Sequence, residues 1–400
     1  MMGSAPVKTV LQGGGKGKIL TFNFMALLGA VFFLFFALDF YIPVLPFYVL
    51  NVGGGEAAVG LLMGLFTFCS VILRPFQGRD LNRRGRKRLL VMGITLYAAG
   101  GVGLLFLPPL YLAFFFRAVQ GFGWGAFLLS FNTLTLDLAP PGRSGEALGI
   151  MGMAPPFSLA VAPILGEHLR ISTAGNYQLL FFVAFAAAVL ALIMALLVGE
   201  PARDKSGDQR GPLLSRKVFF PSLIIFFMTF NLGCILTFLP LLGEVREIEA
   251  VGYFFTVFAL TAVVFRPTFG RISDRVGRSR IFLPALLVGA AALVMIALAS
   301  TPLQLVVSAF VFGAGFGAAH SSVMALAADR LPVLERGVGM ATFTGAFDLG
   351  IVAGSSVIGI LLNWFDFTAV FFLCAAVMLI PVGGYGLKTK LQAVRQQQLK

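Results

Sequence analysis

Charge is scarce in this sequence: 12% of its 400 residues are Asp, Glu, Lys or Arg, against 58% hydrophobic ones. A soluble domain carries about 25% charged residues, so there is too little polar sequence here to cover the apolar stretches. With a mean hydropathy of +0.93, the chain reads as a polytopic membrane protein. There are two histidines, His168 and His320. That leaves no H-E-x-x-H motif or other paired metal ligands for an intramembrane enzyme, so neither enzymatic activity, nor a metal, nor a cofactor is expected. Cys69, Cys234 and Cys374 stand far apart inside apolar segments, which excludes a disulfide framework. No secretory leader is expected either, because residues 1–18 are polar, glycine-rich and basic, without an apolar h-region. Gly13 to Lys18 hints at a phosphate loop. However, Gln12 stands where the first glycine belongs, and Ile19 where Ser or Thr should follow the lysine. A flexible tail is the reading that remains.

What is present is a repeat. Val59 to Arg88 contains an apolar run, then Arg74-Pro75, Gly78-Arg79 and a cationic turn ending Arg86-Lys87-Arg88. Adding 192 to each number finds the same plan at Val251 to Arg280: Gly60 meets Gly252, Arg74 meets Arg266, Gly78 meets Gly270 and Gly85 meets Gly277. The offset persists through Gly121-x-Gly-x-Gly125 against Gly313-x-Gly-x-Gly317, and Asp137 against Asp329. Fixed-period self-similarity in a hydrophobic chain implies two halves built to one plan.

Twelve spanning helices are predicted, each near the twenty or so residues a bilayer needs. They fall at 20–48, 57–81, 87–107, 110–138, 144–167 and 177–199, then at 218–242, 250–273, 281–300, 303–330, 337–363 and 367–387. This gives a tail (1–19), a first six-helix bundle (20–199), a linker (200–217), a second bundle (218–387) and a C-terminal tail (388–400). Of the 30 Lys and Arg, 25 fall in the tails, the linker and the loops on their side, two (Arg170 and Arg246) opposite, and three (Arg74, Arg117 and Arg266) within spans. By the positive-inside rule both termini are expected in the cytoplasm. The net charge of +13 is then explained by topology and anionic headgroups rather than by nucleic acid. The lipid bilayer is the expected surround, and the chain is expected to act as a monomer.

The turn after the second span of each half resembles the signature loop of the major facilitator superfamily, roughly G-x-x-x-D-R-x-G-R-[RK]-[RK]. Here it reads Gly78 to Arg88, with Asn82, Arg83, Gly85 and Arg86, and again Gly270 to Arg280, with Asp274, Arg275, Gly277 and Arg278. The resemblance covers about residues 20–387. It implies an all-α membrane fold of two pseudo-symmetric six-helix bundles, with spans 1, 4, 7 and 10 lining a cavity and 2, 5, 8 and 11 flanking it. It also implies a cytoplasmic latch in this loop. The first copy carries Asn82 where aspartate is usual, and Asp80 lies about 200° round a helix from it, so the latch is expected to be weaker and the resting state biased inward-facing. Arg117-x-x-Gln120-Gly121 resembles the family motif implicated in proton transfer. Pro155, Pro156 and Ala162-Pro163-Ile164-Leu165-Gly166 loosely echo the motif of drug antiporters, with Glu167 where a glycine is common.

Charges inside the bilayer are costly and therefore mark function. Asp39 lies halfway along span 1, four residues before Pro43, which has no N–H to bond the Asp39 carbonyl. An acid at a helix break with an unpaired carbonyl is expected there, while the matching position in the second half, Asn231, is uncharged. Asp348 in span 11 and Arg117 in span 4 are expected at similar depth, so Asp39, Arg117 and Asp348 are the proton-coupling candidates. The alternative reading of Arg117 is an ion pair with Asp39 or Asp348 that makes its burial tolerable. Gln120, Asn132, Asn231, Thr237 and His320 are the candidate polar groups of a substrate cavity, and Phe33, Phe36 and Phe230 flank it. Arg74 and Arg266 read as structural, and Glu167-His168 as interfacial. The expected function is export of a small amphipathic compound from a prokaryotic cell, driven by proton antiport with alternating access. An importer of an organic anion and a lipid flippase are the alternatives.

Overall fold

In lipid a backbone has no hydrogen-bond partner but itself, so each long apolar run closes as a helix. The structure, a computed structural model, describes residues 19–72, 85–140, 143–199, 215–332 and 335–398. The first half contains α1 (Phe22–Phe40), α2 (Leu45–Asn51), α3 (Glu56–Ile72), α4 (Arg86–Leu105), α5 (Leu110–Leu138), α6 (Ser144–Met151), α7 (Ala154–Ser172) and α8 (Tyr177–Leu197). The second contains α9 (Phe219–Val245), α10 (Gly252–Val276), α11 (Arg278–Leu298), α12 (Pro302–Asp329), α13 (Arg336–Leu361) and α14 (Phe367–Gln398). Among the described residues 11 segments are long and apolar enough to cross a membrane, and Glu56–Ile72 is a shorter apolar helix. Gly78, Asn82 and Arg83 of the first signature loop, with Arg74, lie outside the described residues.

Two spans differ from the sequence reading because of proline. Span 1 stops at Phe40, turns through residues 41–44 and resumes as α2. Span 5 is divided at Gly152-Met153, and α7 starts afresh with proline in its first turn, where a missing N–H costs nothing. It then runs to Ser172, so Glu167 lies within the helix rather than at its end. α14 continues past residue 387 to Gln398.

Five helix pairs of the first half recur in the second. α1 packs on α7 and α8 as α9 does on α13 and α14; α3 packs on α5 as α10 does on α12; α4 packs on α5 and α8 as α11 does on α12 and α14. Glycine permits the approach at equivalent points. A Cβ on Gly121 would strike the Phe66 carbonyl of α3, and one on Gly313 would lie 2.9 Å from the Phe258 carbonyl of α10. Both partners of each contact are related by the offset of 192.

The halves meet along two seams, α3 with α13 and α7 with α10. Both seams are tight at the end of the bundle remote from the termini, here called the far end. There a Cβ on Gly359 would fall 2.7 Å from the Glu56 carbonyl and 3.0 Å from the Gly60 Cα. Across the other seam Glu167 accepts hydrogen bonds from Val251 and Gly252 and Thr256 donates to the Ala160 carbonyl, while beside it Arg170 pairs with Glu244 of α9. Toward the termini end the seams part. The stripe of α7 that carries Ala160, Ile164 and Glu167 continues through Phe157 and Met153, which are 60% and 54% exposed. On α13 a Cβ at Gly345 would meet nothing within 4 Å.

Candidate functional site

The break after α1 fixes the position of Asp39. Pro43 cannot donate to the Asp39 carbonyl, but that carbonyl is not orphaned as the sequence suggested: the Ile42 N–H reaches it at 3.1 Å. A tight i→i+3 bond takes the place of the helical one. The Asp39 side chain is 8% exposed and points at α7, where the fully buried Ser158 hydroxyl donates to its Oδ2 at 2.6 Å. Gly166 lets α7 approach this turn, since a Cβ there would lie 2.8 Å from Pro43 and 3.0 Å from the Phe40 carbonyl. Sequence reasoning missed Ser158. A single serine in an apolar helix carries no periodic signal.

Aromatic rings connect Asp39 with the open seam. Phe157, next to Ser158, lies 6.0 Å from Phe32; Phe32 lies 6.2 Å from Phe36 and 5.4 Å from Phe33; and Phe36 lies 6.0 Å from Phe40. Phe230, by contrast, is 8% exposed, with α13 passing close against its backbone at Gly354.

Arg117 is 1% exposed. Its Nη1 donates to Gln120 Oε1 at 2.9 Å, and its Nη2 faces Met63 Sδ at 3.9 Å. The guanidinium lies over the rings of Phe66 (4.2 Å) and Tyr41 (5.3 Å), in cation–π contact. Gln120 in turn donates to the Tyr41 hydroxyl at 3.4 Å. The R-x-x-Q pair is thus one hydrogen-bonded unit, set against a tyrosine two residues from Asp39. No carboxylate comes within ion-pair distance of Arg117 among the described residues, which corrects the reading that it pairs with Asp39 or Asp348.

Asp39 and Arg117 both lie close to Tyr97 in the first half. Asp348, half-buried on α13, belongs to the second half and follows Phe347, whose ring meets His320 edge-on at 5.9 Å. His320 also stacks on Phe316 at 5.8 Å, and Arg266 lies over that same ring at 5.9 Å. Asn231 is fully buried in the second bundle, donating to the Phe227 carbonyl at 2.8 Å and lying 3.5 Å from Met378. Its amide is turned into α14 rather than toward a cavity. Thr237 is 2% exposed, and Asn132 is exposed near the termini end with its amide on the Leu128 carbonyl at 2.8 Å.

At the termini end the repeat produces matched ion pairs. Arg86 pairs with Asp137, and Arg278 with Asp329 at 2.9 Å; each pair maps on the other by the offset of 192. Arg278 also binds Asp274 and the Ser273 hydroxyl. Gly85 (φ 97, ψ 149) and Gly277 (φ 99, ψ 140) open α4 and α11 with the same backbone, in a region only glycine adopts at ease. A Cβ on Gly270 would lie 3.8 Å from Ser321, an ordinary contact, and Arg275 is exposed.

A sequence profile of the Major Facilitator Superfamily matches residues 27–251 and 222–383. The chain belongs to this superfamily. It is a multi-pass membrane transporter, not an enzyme. Among curated superfamily members it is 29% identical to "Multidrug resistance protein MdtG" of Dickeya zeae, over 89% of this chain and 91% of that one. It is 26% identical to "Multi-drug resistance efflux pump PmrA" of Streptococcus pneumoniae, over 84% and 88%. In fold it is similar to the nucleoside transporter NupG (TM-score 0.79, 12% identity, covering 91% of this chain and 99% of that one). It is also similar to a bacterial homologue of the human lysosomal transporter Spinster (TM-score 0.78, 14% identity, covering 94% and 98%).

Proposed function

We propose that this facilitator exports small amphipathic organic compounds across a bacterial cytoplasmic membrane, in exchange for protons and by alternating access. Asp39 is the observation that carries the reading: a carboxylate enclosed at a helix break, with a hydroxyl for a partner, at the end of an aromatic path from the open seam. A hydroxyl can donate to a carboxylate and accept from a carboxylic acid, so both protonation states fit without another side chain moving. The named efflux relatives support the direction of transport. The Lys and Arg distribution supports cytoplasmic termini, which makes the open end the cytoplasmic one. Asp39 acts as the proton carrier, and Arg117 and Gln120 hold Tyr41 and the break in place.

Reconstituted vesicles with an imposed pH gradient test this. Lipophilic cationic dyes are expected to accumulate on the acidic side, with no accumulation once the gradient is collapsed. Movement of organic anions alone, or transport indifferent to the gradient, would overturn the proposal. One observation favours a second reading, import of an organic anion. Arg117 is a buried cation without a carboxylate among the described residues, and a substrate carboxylate would suit its fork.

A further inference from the structure

Glu167 is left over by this account, and its surroundings are unusual. It is a carboxylate of the first half whose Oε1 accepts from the Val251 N–H at 2.9 Å and whose Oε2 accepts from the Gly252 N–H at 2.5 Å. Those are the first free N–H groups of α10, the second-half helix across the seam. The bidentate geometry places an ion on the positive end of a helix dipole. Gly252 is what lets it in, since a Cβ there would sit 2.8 Å from Glu167 Oε2 and 2.8 Å from the Ile164 Cα. The charged groups around it are few. On its own helix, Arg170 is already paired with Glu244 of α9 at 2.9 Å and lies over the Phe47 ring of α2 at 3.8 Å. Tyr177 of α8 stands near that pair, while His168, Glu247 and Glu249 are exposed. Pro43, Phe47, Pro240, Val251 and Phe255 complete the walls of the small cavity that Glu167 faces.

We propose that Glu167 is a second protonation site, distinct from Asp39, whose ionised carboxylate closes the far end and whose protonation from that side releases it. Protonation places a hydrogen on one oxygen, which then accepts only weakly from a backbone N–H, and it removes the charge that the helix terminus attracts. The two halves lose their charge-assisted joint along the α7–α10 seam together. Export need not be the direction of transport for this to hold; an importer would carry the same closure.

The test is the distance across the seam. Cys69, Cys234 and Cys374 are replaced by serine, and spin labels are placed at His168→Cys and Tyr253→Cys, both exposed positions, in the full chain in lipid nanodiscs. Between about pH 8 and about pH 5, a range reaching the carboxylate region, the wild type is expected to gain a longer-distance population. Glu167→Gln is expected to show that population at both pH values, with the ratio of closed to open falling about tenfold, as loss of one charge-assisted hydrogen bond implies. Asp39→Asn is expected to keep the wild-type response. An unchanging wild-type distance overturns the proposal without any variant being needed. So does a Glu167→Gln chain that still follows pH, or an Asp39→Asn chain that no longer does.

Discussion

Arg117, enclosed among aromatic and apolar side chains, finds its acceptor in Gln120, one turn along its own helix. Losing that acceptor leaves a buried N–H of a charged group unsatisfied, at a cost of about 1–3 kcal/mol. Gln120→Ala is accordingly expected to lower the thermal unfolding midpoint of the purified protein, while Gln120→Glu restores the acceptor. At this scale the sequence was informative about charge and nearly silent about its partners. Asp39 and Arg117 stand out because ionised residues are rare in spans. Their neighbours do not: Ser158 and Tyr41 are polar groups of ordinary appearance, and only the approach of α7 to the α1 break gives Ser158 its role. Asn231 misled for the opposite reason. The repeat aligned it with Asp39, but an uncharged amide settles into the packing of its own bundle, whereas the acid has been given a hydroxyl.

Helix starts carry the repeat most faithfully. Gly85 and Gly277 share a positive φ and the same N-terminal position, so Gly277→Ala is expected to cost about 1–3 kcal/mol in backbone strain, seen as a lower unfolding midpoint. The helices that follow place Arg86 on Asp137 and Arg278 on Asp329, contacts that the offset of 192 had aligned without revealing that the members touch. The second loop adds Asp274, and the first has Asn82 at that position. Giving Arg86 the second carboxylate that Arg278 enjoys, through Asn82→Asp, is expected to slow thiol labelling of the cavity from the termini side; unchanged labelling would count against a latch weakened by Asn82. Breaks were harder to place than starts. Pro43 announced a kink, yet the turn it makes also re-pairs the Asp39 carbonyl, and the pause at Gly152-Met153 was hidden inside an apolar run of span length.

At the scale of the molecule, two bundles touch along two seams that are closed at one end and parted at the other. The twofold relation was legible, because a register held over many residues demands one architecture twice. The inward-facing bias was expected from Asn82 alone, which lies outside the described residues, and the small residues of both seams allow helices to meet or to separate. The contacts at the far end come from Glu167, Arg170 and glycines of different helices, which no linear pattern announces. Proton exchange is the claim on which the functional account rests, and it can be read without vesicles. Purified protein in weakly buffered detergent, held near neutral pH, is mixed with a lipophilic cationic substrate while a pH indicator follows the solution. The wild type is expected to release protons on binding, and Asp39→Asn, folded and still able to bind, to release none. Undiminished release from Asp39→Asn would contradict the account.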